Sequence, residues 1–129
     1  GADIINDLVP YGKLPILKSK YLRVAQLCRG RLGKLRRTLP NAVAGTYPGN
    51  VAEIISDLGN ECMLGAGGGI HAHPDGPRAG AIAMRQAIDA AMDGVTLEQA
   101  ADEHPELSAA IDKWGVWEEE SVRLFSRLR

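Results

Sequence analysis

GGGIHAHPDGPRAG, residues Gly67–Gly80, decides the reading of this chain. A short apolar stretch, Cys62-Met63-Leu64-Gly65-Ala66, precedes it, and a helical pattern from Ala81 to Met92 follows. Strand, glycine turn, helix is an order that aims backbone N–H groups at an anion. Glycine lets a backbone approach a phosphate because no Cβ intervenes. A helix N-terminus nearby adds partial positive charge.

The same order recurs upstream. Ala2 to Asn6 is an apolar run suited to a buried parallel strand. Asp7 to Pro15 reads as a loop, punctuated by Pro10, Gly12 and Pro15. A helix follows from about Leu17 to Arg29, with Leu17, Tyr21, Val24 or Ala25, and Cys28 on one face, and Gly30 and Gly33 at its end. Leu39 to Ala44 is a second strand, and Gly45 to Gly49 a turn. Asn50 is placed to cap a helix through Leu58, whose buried face holds Val51, Ile54, Ile55 and Leu58. Cys62 to Ala66 is the third strand. Pro77 to Met92 is the third helix, with Ile82, Ala83, Gln86, Ala87 and Ile88 along one side. Beyond Gly94 the pattern is all helical. Thr96 and Gln99 have capping-box spacing, Pro105 opens a further helix, and Leu107, Ala110, Ile111, Trp114, Val122, Leu124 and Phe125 give it an apolar side.

Alternating strands and helices imply a parallel sheet. Three such units cannot close a barrel, which needs eight, and three strands leave two open edges. The chain has 129 residues, 45% of them hydrophobic, and a formal net charge of −1, which fits an ordered chain of one domain's length. It shows no signal peptide and no run long enough to span a bilayer. Cys28 and Cys62 lack metal spacing and read as reduced thiols, so a cytoplasmic location is expected. Charge is uneven. Residues 1–66 carry nine Lys/Arg against five Asp/Glu, and residues 67–129 carry six against eleven. The basic excess sits in Lys18 to Arg37, with eight cations and no acid. Aromatic interleaving is absent there beyond Tyr21, so a solvated face is expected rather than a nucleic-acid site, and no membrane partner is expected.

Read as a string, GGGIHAHPDGPRAGAIAMRQAIDA (residues 67–90) resembles the last strand–loop–helix unit of the RuBisCO large-subunit superfamily, including its RuBisCO-like members. Gly1-Ala2-Asp3-Ile4-Ile5 resembles that family's strand six, and Tyr11-Gly12-Lys13-Leu14 the loop after it. PNAVAGTYPG, Pro40–Gly49, resembles strand seven and its phosphate turn. The likeness runs from about Gly1 to Gly115. It implies an α/β fold made of the last three units, strands six to eight, of a (β/α)8 barrel: three βα units over residues 1–94 and a helical extension over residues 95–129.

The resemblance also implies a site. Lys13 matches the family's lid lysine, which stabilises developing negative charge as the loop closes. Gly67 and Gly68 match one phosphate turn, and Gly45 with Ala44 the other. His71 and His73 read as hydrogen-bonding loop residues rather than metal ligands. Val43 stands where RuBisCO has a serine, and Asn6 where it has a histidine, and both family residues contact the bisphosphate; this counts against carboxylation of ribulose bisphosphate. Pro10-Tyr11-Gly12 is closer to the RuBisCO-like enolases. The implied activity is Mg²⁺-assisted enolisation, of enolase, isomerase or decarboxylase type, on a phosphorylated sugar-like substrate. The family's metal ligands lie on a strand this chain lacks, so Mg²⁺ would be held from outside it. The implied partner is the remaining barrel segment or a second copy of the chain. The alternative is a non-catalytic barrel fragment that folds by association and is inactive alone.

Overall fold

The computed structural model describes residues 1–12 and 14–118. Three parallel strands, β1 (Ile4–Leu8), β2 (Leu39–Val43) and β3 (Met63–Leu64), form one sheet in the order β1-β2-β3. The helix α1 (Lys18–Arg29) joins the first two strands; a 3₁₀ turn (Pro48–Asn50) and α2 (Val51–Leu58) join the second pair. Four helices follow β3: the single turn α3 (Gly68–His71), then α4 (Gly76–Asp93), α5 (Leu97–Glu103) and α6 (Pro105–Trp114).

Alternation along the strands gives the sheet two unlike faces. Val9 and Ala42 on one face are fully buried beneath α1 and α2, where they meet Tyr11, Tyr21, Ala25, Ile54 and Leu58. The other face carries Ile4, Leu8, Leu39 and Met63, all exposed. In its middle Asn41 Nδ2 donates to Asn6 Oδ1 at 2.9 Å, on residues that the register places opposite each other. A second core lies outside the first, where Val51 of α2 packs with Met84, Ala87 and Ala90 of α4, Leu97 and Ala100 of α5, and Leu107 of α6.

Local chemistry sets the element ends. Gly94 closes α4 in the left-handed conformation, φ 72°, its N–H donating to Ala90 O. Thr96 Oγ1 accepts from Gln99 N at 3.2 Å, and Gln99 Oε1 accepts from Thr96 N, so the capping box forms as its spacing predicts. Pro105 opens α6 and Gly115 ends it.

Several expectations need correction. β1 starts at Ile4 rather than Ala2 and continues through Asp7 and Leu8, because Val9 N still reaches Val43 O at 3.0 Å. Asp7 is therefore a strand residue under α1, not a loop residue. β3 is only two residues long, since only Asn41 and Ala42 of β2 find partners on it. Leu17 precedes α1 and is exposed, so the buried stripe is Tyr21, Ala25 and Cys28. On α4 the buried stripe is Gly80, Ala83, Met84, Ala87 and Ala90, which leaves Ile82 exposed. Val122, Leu124 and Phe125 lie outside the described residues.

Candidate functional site

Parallel pairing puts the C-terminal ends of all three strands at one end of the sheet, and the loops leaving them touch there. A Cβ on Gly12 would lie 2.9 Å from Gly45 Cα and collide with Ala44 O. A Cβ on Gly69 would lie 2.6 Å from Thr46 O and 2.7 Å from Tyr47 Cα. The loop after β1, the turn after β2 and the first turn after β3 thus meet backbone to backbone, at glycines that leave no room for a side chain.

Gly67 and Gly68 differ from Gly69. Nothing lies within 4 Å of a Cβ built on either, and both are exposed. Among the described residues, no acceptor takes the N–H of Gly67 or Gly68. The glycine run is not wholly a loop, as α3 begins at Gly68, with Ile70, His71 and Ala72 N–H groups returning to Gly67 and Gly68 carbonyls. Winding Gly68–His71 into a turn leaves the preceding N–H groups facing outward.

The turn after β2 is held under strain. Ala44 has φ 65°, a left-handed conformation for a residue with a Cβ, costing on the order of 1–2 kcal/mol. Three bonds hold it. Thr46 Oγ1 donates to Ala42 O at 2.9 Å, Asn50 Nδ2 donates to Gly45 O at 2.8 Å, and Asn50 Oδ1 accepts from Tyr47 N at 3.0 Å. Asn50 makes no side-chain cap on α2. Its amide is spent on the Gly45 turn, which corrects the expected role.

Lys13 lies outside the described residues, but the stalk before it is described. Tyr11 is buried against Tyr21 and Trp117, and its hydroxyl donates to Asp57 Oδ2. Lys18 Nζ reaches Glu53 at 2.7 Å and Asp57 at 3.0 Å and stands over the Tyr11 ring. Burial and the bond to Asp57 both push the Tyr11 phenol above its ordinary pKa. Burial works against the Lys18 ammonium, but the Glu53 and Asp57 carboxylates outweigh it, so Lys18 is held above its ordinary value. This network ties the loop after β1 to α1 and α2. Its only signal in the sequence is the i, i+4 spacing of Glu53 and Asp57.

His73 is 4% exposed. Its Nδ1 accepts from Asp75 N at 3.1 Å, so the proton sits on Nε2, which donates to Glu106 O at 2.9 Å. Both ring nitrogens are engaged in joining the α3–α4 link to α6. His71 is exposed. Gln86 also binds α6, donating to Glu106 Oε2 and accepting from Leu107 N. Among the described residues, no three His, Cys, Asp or Glu side chains are grouped to hold a metal, and no helix is long and apolar enough to cross a membrane. Cys28 and Cys62 are free thiols.

A family model described as "Ribulose bisphosphate carboxylase large chain, catalytic domain" matches residues 23–114. The chain belongs to this family. It is 40% identical over 116 residues to a 2,3-diketo-5-methylthiopentyl-1-phosphate enolase of Exiguobacterium sibiricum, covering 90% of this chain and 29% of that protein. It is 42% identical over 115 residues to a ribulose bisphosphate carboxylase of Pyrococcus furiosus, covering 89% and 27%. Its fold superposes on the octameric RuBisCO of Pyrococcus horikoshii with a TM-score of 0.83 and 37% identity, covering 88% of this chain and 27% of that one. The RuBisCO-family chain therefore spans under a third of the relatives' length, and enolases and carboxylases match it equally well.

Proposed function

We propose that the chain is the C-terminal portion of a RuBisCO-like enzyme and supplies strands six to eight of a (β/α)8 barrel. Residues 1–94 are three βα units, and residues 95–129 are a helical extension. The assembled enzyme enolises a phosphorylated sugar-like substrate in the cytoplasm. Gly67 and Gly68 bind one phosphate through backbone N–H groups, and Gly45 with Ala44 shapes the opposite end of the substrate site. Lys13 acts from the loop after β1 on developing negative charge.

The supporting observation is the convergence at one end of the sheet. The open side of Gly67 and Gly68, the strained Ala44-Gly45 turn and the stalk leading to Lys13 meet there. The family's chemistry uses Mg²⁺. The described residues hold no ligand set for it, so its ligands would come from the rest of the barrel, and no step is assigned through it.

The test pairs this chain with a separately produced N-terminal portion of a relative. Gly68→Val should weaken sugar-phosphate binding by about tenfold or more, the scale of one charge-assisted hydrogen bond at ~1.5–3 kcal/mol. Neutralising Lys34, Arg36 and Arg37 together should leave that affinity unchanged. Lys13→Ala should abolish turnover while preserving binding. If the triple neutralisation costs more affinity than Gly68→Val, the phosphate site is elsewhere.

A second reading, a non-catalytic fragment that folds by association, is favoured by the exposed Ile4, Leu8, Leu39 and Met63 face. Phosphate binding without turnover in the assembled pair would select it.

A further inference from the structure

Most cations of the basic segment, residues 18–37, stand outside the site at the strand ends. Of its eight cations, Lys18 is spent on Glu53 and Asp57, and Arg29 on the Leu58 and Glu61 carbonyls. The other six make no ion pair among the described residues. Four of them, Arg31, Lys34, Arg36 and Arg37, stand in the exposed loop between α1 and β2. The same loop presents Leu32 at 71% exposure and Leu35 at 55%, and Leu27 at the end of α1 is 63% exposed. Two bare leucines among four free cations suit an apolar groove with an acidic rim. Single-stranded nucleic acid would call for aromatic side chains to stack its bases instead.

The chain carries such a groove. Ala52 and Ile55 of α2, Ala91 of α4, Val95 and Val116 line a depression of about 400 Å³ with Glu98 at its edge. The sequence window 93–112, of which Gly94–Glu98 line the groove, holds six acids and no Lys or Arg, the mirror of the basic segment. Among these, Glu98 lines the groove, Asp93 ends α4 just before the lining residue Gly94, and Asp102 lies one turn beyond Glu98 on α5. Opposite charges around matched apolar centres steer and orient an encounter.

We propose that the 30–37 loop of one copy of this chain docks into the α2–α4–α5 groove of a second copy. Leu32 and Leu35 enter the groove, and the flanking cations face Asp93, Glu98 and Asp102. The contact is heterologous within each pair of patches, and it closes into a dimer only if both loops engage at once. It uses neither the exposed sheet face nor the glycine turns.

Sedimentation of the 129-residue chain tests this. Association should weaken about tenfold between roughly 50 mM and 500 mM NaCl, because its charges are exposed and screened. A loop variant, Leu32→Asp with Leu35→Asp, and a groove variant, Val95→Arg, should each lose the salt-sensitive association. Both should keep wild-type far-UV circular dichroism. Glu98→Lys is the milder groove change should Val95→Arg alter that spectrum. Mixing loop variant with groove variant should restore a one-to-one pair, since one intact loop then meets one intact groove. Salt-insensitive association unchanged by these variants would overturn the proposal in favour of the sheet face. Leucine-dependent binding to phosphatidylserine vesicles by a chain that shows no salt-sensitive association would overturn it in favour of a membrane surface.

Discussion

Gly12 and Gly45 press their Cα atoms together across the gap between two loops, and neither can carry a Cβ without moving the other. Gly12→Ala and Gly45→Ala should each destabilise the chain, by on the order of 2 kcal/mol or more. Their effects should not add. Once one alanine has pushed the loops apart, the second meets no backbone, and Gly45→Ala retains only the cost of its φ of 143°. Urea unfolding at one fixed protein concentration should give a double variant at least ~1 kcal/mol more stable than the sum predicts.

Asp7 is 6% exposed, its Oδ2 has no partner, and burial pushes its carboxyl up to about 6, against a smaller opposing bond from the Leu8 N–H. An acid whose folded pKa is raised folds best when protonated. Its penalty is absent below about pH 4, grows between 4 and 6, and is complete above 6. Asp7→Asn should therefore stabilise the chain at pH 7.5 by about 2 kcal/mol and change little at pH 4. Paired denaturation curves at the two pH values check this, and a variant equally stabilised at both would contradict it.

Adjacent glycines should respond oppositely. Gly68→Ala enters open space and favours the α3 turn, so the melting temperature should stay within about 2 °C of wild type. Gly69→Ala drives a methyl into Thr46 O and Tyr47 and should cost at least ~2 kcal/mol. Thermal unfolding of the two variants side by side measures the contrast.

Thr96→Ala removes the acceptor for Gln99 N at the head of α5. The cost should be about 1 kcal/mol. Thr96→Ser should recover most of it, because only the hydroxyl is needed. Hydrogen exchange at the Gln99 amide reports the same loss locally.

The order of strands and helices was legible because Pro, Gly and apolar runs punctuate it from Ile4 to Trp114. Glycines at 12, 45 and 69 were legible as turn positions, although what requires them is backbone from another loop, Ala44 and Gly45 against Gly12 and Thr46 against Gly69. Long-range polar pairings were not. Asn50 sits where a cap belongs, and only folding shows that Gly45 O claims its amide. Asp7 follows an apolar run and precedes Pro10, so local pattern favours a loop, whereas the ladder to β2 continues past it. The Tyr11–Asp57–Lys18 cluster joins residues from three elements, and no local window contains them.

The Asn6–Asn41 pair works as a parity lock on the sheet. A one-residue slip of β1 would set Asn6 opposite Pro40 or Ala42, which offer no side-chain partner, and would turn Asp7 and Val9 out from under α1. One amide bond on the otherwise apolar face thus distinguishes the native pairing from its nearest misregistered rivals before any partner covers that face.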